Sequence, residues 1–138
     1  MIHTTTVALE TRGHADVHDI TAALARIVTQ SHLKSGLATA FCPSSTSALT
    51  TIEFEDGAIR DLRRLLDEIL PADREYAHNA RWGDGNGHSH VRSALLGPSI
   101  SIPIVNGALT LGTWQQVIHI DFDVQPRQRE IVVQLIGD

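Results

Sequence analysis

Residues able to bind a metal ion or an anion are concentrated in one segment, Tyr76–His90. These residues are His78, Asp84, Asn86, His88 and His90. Three imidazoles with one open position form a known catalytic zinc arrangement, and functional residues lie disproportionately on loops. The segment has no apolar periodicity, so the sequence predicts a loop that carries the site. The alternative is a solvated, glycine-rich surface loop whose histidines bind nothing.

The spacing within this segment indicates how its ligands can meet. His88 and His90 stand at positions i and i+2, which point to the same side in an extended chain but not in a helix. His78 lies a loop's length earlier and can fold back to join them. The glycines around Asp84 and Asn86 can expose backbone N–H groups to a phosphate or sulfate.

Two further groups of polar residues lie outside the segment. Glu53 ends a predicted strand and can act as a general base or a hydrogen-bond partner, although a solvated carboxylate is an equal alternative. The hydroxyl cluster at 44–47 can donate to an anion, or it can simply satisfy backbone groups in a turn. Neither a nucleophile elbow nor a Ser/His/Asp order supports nucleophilic catalysis.

A Trp-Gln pair and an arginine pair complete the candidates. Trp114 can contact a flat ligand or pack in the core, and Gln115 offers both a donor and an acceptor. Arg127 and Arg129 can bind phosphate in bidentate fashion, and the alternative is a pair of solvated turn arginines. Cys42 lies in an apolar run, which is typical of a small buried residue.

Strands and two main helices must position these residues. Thr21 can cap a predicted helix that runs to about Ser31, and an apolar stripe predicts a second helix, Ala58–Leu70, stopped by Pro71. A short helix is predicted after the loop, at Val91–Leu96. The predicted strands are Ile2–Glu10, Leu37–Cys42, Thr50–Phe54, Ser99–Val105, Leu109–Leu111, Val117–Phe122 and Glu130–Ile136. This order predicts an α+β fold whose second half is mostly antiparallel sheet.

The composition limits the class of protein. A length of 138 residues predicts a single domain, 1–138. The net charge of −5 argues against nucleic acid or an anionic membrane as a partner. No secretory signal or apolar stretch near the roughly 20 residues of a membrane helix is visible, and one cysteine excludes an internal disulfide framework. We therefore expect a cytoplasmic protein.

Several motifs together resemble a known family. The segments Gly107–Gln115, containing Gly-Thr-Trp-Gln, and Ser93–Gly97 resemble the signature of the YjbQ-like family. These are small proteins often described as secondary thiamine-phosphate synthases. The similarity extends over most of the chain: the other matching positions are Ser45–Glu53, Tyr76, His78, Ser89, His90, Arg127, Arg129 and Gly137.

The chain departs from that pattern at one position. Ser44 stands where many members have a histidine, so the resemblance is to a branch with a small residue there. We hypothesise that His88 replaces the missing ligand, giving a metal set of His78, His88 and His90. The expected cofactor is a divalent metal, Zn²⁺ or Mg²⁺.

The resemblance implies both a fold and an activity. The fold would be a two-layer antiparallel β-sandwich with flanking helices, assembled as a homotrimer with sites near subunit contacts. The activity would join a pyrimidine pyrophosphate to a thiazole phosphate. Glu53, His78 and His90 would serve catalysis, and Asp84, Asn86, Trp114, Gln115, Arg127 and Arg129 would bind the ligand.

Two alternatives stay open. One is a metal-dependent hydrolase of a phosphorylated small molecule, with Glu53 as base. The other is a trimer that binds a metal or an anion without catalysis.

Overall fold

Two antiparallel sheets form the framework of the protein in the computed structural model, which describes all 138 residues. The larger sheet has five strands in the order β1-β8-β3-β5-β6, and the smaller has three in the order β2-β7-β4. The strands are β1 (Ile2–Thr11), β2 (Asp16–Asp19), β3 (Ser35–Phe41), β4 (Ser47–Ile52), β5 (Ser99–Val105), β6 (Ala108–Leu109), β7 (Gln116–Asp121) and β8 (Arg127–Gly137). The predicted α+β fold with two antiparallel sheets is confirmed.

Four helices connect and cover the sheets. They are α1 (Thr21–Ser31), α2 (Asp56–Ile69), α3 (Ala77–Trp82) and α4 (Gly87–Leu96). Helix α2 begins where Glu55 accepts hydrogen bonds from the backbone N–H groups of Gly57 and Ala58. Thr21 does not cap α1 as predicted, because its hydroxyl accepts the backbone N–H of Val117 instead. No helix is both long enough and apolar enough to cross a lipid bilayer.

Strand β7 separates two apolar clusters because both of its faces are buried. Val117 belongs to the larger cluster, which also takes residues from α1, β3, β5 and β8. Ile120 and Phe122 belong to the smaller cluster, where they meet Leu66 of α2. Val117 and Ile120 therefore lie on opposite faces of the strand, as its alternation requires.

The face of the five-stranded sheet that points away from the larger apolar cluster is exposed. The central rows of paired residues that run across its strands contain no charged side chain. We call it the outer sheet face and define it by six residues. They are Ile2, Leu37, Thr39, Phe41, Gln134 and Ile136. Leu37, Phe41 and Ile136 are exposed although they are large and apolar. Nothing within the chain covers this face.

Three elements differ from the sequence predictions. The segment Tyr76–His90 is not one loop, because it holds all of α3 and the first turn of α4. Its helical turns are hard to detect because α3 buries no residue and α4 buries mostly polar ones. Strand β2 was not predicted, because its sequence, DVHD, lacks an apolar alternation.

Candidate functional site

His78, Asp84 and His90 form a compact cluster at the junction of α3 and α4. One ligand atom from each residue lies within 4.8 Å of the other two. The rings of His78 and His90 meet edge to face with centroids 4.4 Å apart. His78 and His90 are half-buried and Asp84 is exposed, so solvent and a small molecule can reach the cluster. Three protein ligands with open positions are the arrangement of a catalytic metal site.

A hydrogen bond fixes the ring of His90. Its Nδ1 lies 3.0 Å from the carbonyl oxygen of Ser45. A carbonyl only accepts, so Nδ1 carries the proton and the lone pair of Nε2 stays free. An oriented ring with a free Nε2 is what a metal-binding histidine requires.

The carboxylate of Asp84 is held from both sides. Its Oδ1 accepts the backbone N–H of Asn86 at 3.0 Å, and His78 Nε2 lies 3.0 Å from the carboxylate. The Asn86 N–H bond, followed by the contact with His78, lowers the pKa of Asp84. The carboxylate is therefore ionised at neutral pH and is available as an anionic ligand.

Asn86 anchors the connection between the two helices and lies buried under it. Its side-chain oxygen accepts the Ser89 hydroxyl at 2.8 Å and the backbone N–H of Val124 at 3.1 Å, and its amide nitrogen donates to Asp123 at 3.3 Å. With both ends of the amide bonded inside the protein, Asn86 positions Asp84 rather than contacting a ligand.

His88 does not join the cluster, which corrects the proposed set of His78, His88 and His90. Position 88 lies in the first turn of α4, where residues two apart point in different directions. The ring is only 4% exposed and packs near Tyr76, with ring centroids 6.4 Å apart. Burial and the positive charge of Arg92 lower the pKa of His88, so the ring is neutral. Asp84 takes the third position that the sequence assigned to His88.

Arg129 is engaged inside the protein. Its guanidinium binds Asp121 in bidentate fashion, at 2.7 and 3.0 Å, and also donates to the Thr46 hydroxyl at 2.8 Å. Asp121 is fully buried: desolvation raises its pKa, but the bonds from Arg129 and Thr11 outweigh that effect and lower it. This geometry gives Arg129 a structural role and leaves few of its donors for phosphate.

Arg127 is placed differently. Its Nε lies 3.1 Å from Asp123, and its side chain is 46% exposed. Asp123 in turn binds Thr46 and Asn86, which connects Arg127 to the loop of the cluster. Arg127 is therefore the arginine of the pair that retains a solvent-facing surface.

Glu53, Trp114 and Gln115 lie at the other end of β4 from the cluster. His90 binds Ser45, before the strand begins, whereas Glu53 follows the last strand residue, Ile52. The strand between these points spans about 17 Å, at roughly 3.3 Å per residue. Within one chain, these residues cannot share a small site with the histidines.

The loop that holds Trp114 is fixed by its own side chains. Gln115 accepts the backbone N–H of Gly112 and donates to Thr51, while Gln116 accepts the N–H of Phe54. Trp114 is 73% exposed, which contradicts the alternative of core packing. Glu53 makes no side-chain hydrogen bond or ion pair, and Cys42 is buried as expected.

Two residues beside the cluster were not predicted from the sequence. Trp82 stands four residues after His78 in α3, and Arg81 lies over its ring at 5.5 Å. Residues at i and i+4 share a helix face, so Trp82 lies on the side of His78. The sequence does contain a His/Trp pair at i and i+4. This spacing places the two side chains on one face only if the segment is helical.

Comparison with known proteins gives one consistent result. Residues 5–138 match the family described as UPF0047 protein YjbQ-like. A UPF0047 protein of Methanothermobacter thermautotrophicus is 35% identical over 136 residues, covering 99% of this chain and 93% of that protein. The UPF0047 protein YugU of Bacillus subtilis is 30% identical and covers 96% and 98%.

Solved structures agree with these relatives. A YbjQ-like protein from Sulfolobus solfataricus superposes with a TM-score of 0.95 at 28% identity, covering 100% of this chain and 99% of that one. A protein of the YjbQ/UPF0047 family from Clostridium acetobutylicum gives 0.88 at 34% identity, covering 96% and 99%. Both similarities extend over the whole fold described above.

Proposed function

Because this chain belongs to the YjbQ/UPF0047 family, we propose that it is an enzyme of the secondary thiamine-phosphate synthase type with a divalent metal at His78, Asp84 and His90. The observation that carries this proposal is the cluster itself, with its ligand atoms within 4.8 Å of one another. The proposed reaction forms a C–N bond between a thiazole phosphate and a pyrimidine pyrophosphate, and it breaks the C–O bond to pyrophosphate.

The donor set supports a particular kind of metal. Two imidazoles and one carboxylate suit Zn²⁺ and similar transition metals, whereas Mg²⁺ prefers carboxylates and retained water. The fixed ring of His90 and the ionised Asp84 match this choice. We therefore favour Zn²⁺ over Mg²⁺.

The roles of the surrounding residues follow from their placement. A bound divalent ion would supply positive charge against the developing negative charge of the pyrophosphate leaving group. Arg127 offers a second positive charge through its exposed edge. Asn86 holds the carboxylate of Asp84 in place through its backbone N–H.

We also propose that the chain assembles as the homotrimer that the family resemblance implies. Support comes from the outer sheet face, where Leu37, Phe41 and Ile136 are exposed without any charged neighbour in their rows. The separation of Glu53 and Trp114 from the histidines also favours assembly. A neighbouring copy can bring these residues to a cluster that their own chain keeps apart from them.

Metal-dependent hydrolysis of a phosphorylated small molecule is the second candidate. It needs only the cluster of His78, Asp84 and His90, without the base role expected for Glu53, because Glu53 lies at the other end of β4 within one chain. Hydrolysis at a metal site needs a water molecule and an open coordination position but no second organic substrate.

The test uses the full chain reconstituted with one equivalent of Zn²⁺ and supplied with the two thiamine precursors. Thiamine phosphate and pyrophosphate in equal amounts are expected, as measured by chromatography and a coupled pyrophosphate assay. His90→Ala should abolish this product, and His3→Ala, an exposed histidine far from the cluster, should not.

Other outcomes separate the candidates. Release of inorganic phosphate from one precursor, without thiamine phosphate, would contradict the transferase and favour the hydrolase. Metal binding with no turnover of either kind would leave the non-catalytic binding protein.

A further inference from the structure

We propose that Trp82 and Arg81 form a recognition platform beside the metal cluster for a planar aromatic ring attached to a phosphate group. The proposal rests on the proposed function and adds to it the residues that select the substrate. It starts from a feature that stability does not explain. Trp82 is 67% exposed, and α3 buries none of its residues.

The position of Trp82 relative to the cluster is set by the helix. His78 and Trp82 are separated by one helical turn on the same face of α3, about 5–6 Å between Cβ atoms for such a pair. A group held near His78 can therefore lie against the indole. An aromatic ring stacks on such a surface because its dispersion contacts and quadrupole match those of the indole.

Arg81 supplies charge at the same place. Its guanidinium lies 5.5 Å from the centre of the Trp82 ring, and it forms no ion pair in the protein. One face of the indole thus lies under a cation, and the rest of the ring stays accessible. The guanidinium can donate to a phosphate oxygen in the bidentate geometry that arginine favours.

The adjoining loop leaves room for a ligand. Gly83 ends α3 with a φ of +67°, and Gly85 follows with a φ of +74°. Nothing lies within 4 Å of the position that a Cβ would occupy at either glycine. The backbone on both sides of Asp84, including the residue after Trp82, therefore has open space beside it.

A matched pair of non-hydrolysable probes tests this proposal by calorimetry. Benzylphosphonate and ethylphosphonate carry the same anion, but only the first has an aromatic ring. The Zn²⁺-loaded protein should bind benzylphosphonate about tenfold more tightly, as expected for one stacked ring. Trp82→Ala should remove this preference without changing the affinity for ethylphosphonate, and Trp82→Phe should keep part of it.

Two control variants show whether the preference for benzylphosphonate comes from Trp82. Trp114→Ala, which removes the other exposed tryptophan, should leave the preference unchanged. Arg81→Met should weaken both phosphonates by a similar factor, because it removes a charge that both anions contact. Far-ultraviolet circular dichroism of each variant should match that of the parent protein, since neither tryptophan is buried.

The outcomes distinguish this proposal from the proposed function. If Zn²⁺ binds but both phosphonates bind equally, or Trp82→Ala keeps the preference, the platform is wrong and the metal site stands. If Zn²⁺ does not bind, both are wrong. If Trp82→Ala instead changes the particle mass in light scattering, the indole is a contact between copies of the chain, which also overturns the platform.

Discussion

Single side chains decide which histidines can take part in chemistry. His78, His88 and His90 occur close together in sequence, but only two of them face each other. The difference comes from the helical geometry of α4, which turns His88 into the protein while His90 binds the carbonyl of Ser45. Residue type alone predicts three ligands, and backbone geometry exchanges one of them for Asp84.

Single replacements of His90, Asp84 and His88 check this assignment. His90→Ala and Asp84→Asn should each lower Zn²⁺ affinity by at least about 100-fold, since loss of a direct ligand should exceed the 10–100-fold effect of an outer partner. His88→Ala should leave the affinity within a few-fold of the parent, because its ring is buried outside the cluster. Calorimetric titration with Zn²⁺ measures all three, and a 100-fold loss in His88→Ala would contradict the assignment.

His119 gives a second prediction at the level of one residue. It is fully buried in β7, neither ring nitrogen has a hydrogen-bond partner, and burial lowers its pKa from 6.5 to about 4. Between these pH values, the unfolded chain binds a proton on His119 that the folded chain does not. His119 therefore does not lower the free energy of unfolding above pH 6.5. As the pH decreases toward 4, this residue lowers the free energy of unfolding by up to roughly 3 kcal/mol.

Denaturant unfolding at a series of pH values measures this effect. His119→Leu should reduce the slope of unfolding free energy between pH 7 and pH 5, because it removes the titrating ring. An unchanged slope in His119→Leu would show that other groups cause the acid sensitivity.

At the level of elements, an ion pair and hydrogen bonds connect the ends of the two sheets. Arg129 of β8 holds Asp121 of β7, and Thr46, just before β4, binds both Arg129 and Asp123. These strands belong to different sheets, so the contacts fix one sheet relative to the other at the end where the cluster lies. The arginine pair was predicted to bind phosphate, but Arg129 mainly serves this connection.

The connection can be tested by comparing the two arginines. Arg129→Met should lower the free energy of unfolding by about 3 kcal/mol or more, because it leaves Asp121 buried without its partner. Arg127→Met should change it by less than about 1 kcal/mol, because that ion pair is partly exposed. Guanidinium unfolding curves supply both values, and equal losses would contradict the structural role of Arg129.

The elements that could be predicted from sequence are those with a strong apolar pattern. The span of α1 and most strands follow from it, as does the stripe of α2. The pattern fails where polar residues are buried: His88, Ser89 and Arg92 occupy the inner face of α4 and carry no apolar signal. The histidines of the site were identified from residue type, whereas Asp84 as their partner depends on a turn that spacing does not reveal.

The whole molecule leaves one broad surface without a partner. The outer sheet face is uncharged in its rows through Ile136 and Gln134, although Glu130 follows on the same face of β8, and it includes exposed Phe41, Leu37 and Ile136. Isolated apolar residues on a surface are ordinary, but aligned rows on a sheet favour contact with another protein surface. This feature supports the proposed homotrimer.

A charge placed on that surface tests the assembly. Phe41→Glu should shift the mass found by light scattering from three chains toward one, since a buried unpaired carboxylate opposes association. Gln30→Glu, on an exposed position of α1, adds the same charge elsewhere and should leave the mass unchanged. A parent protein with the mass of one chain would contradict the homotrimer itself.

The position of β8 has a consequence for how the chain acquires its fold during synthesis. This strand is made last among the elements, yet it lies between β1 and β3 in the larger sheet. Strand β1 therefore has no pairing partner until Arg127–Gly137 has also been synthesised. Such distant pairing is slow to form, so the larger sheet should close after translation of the last strand rather than progressively with it.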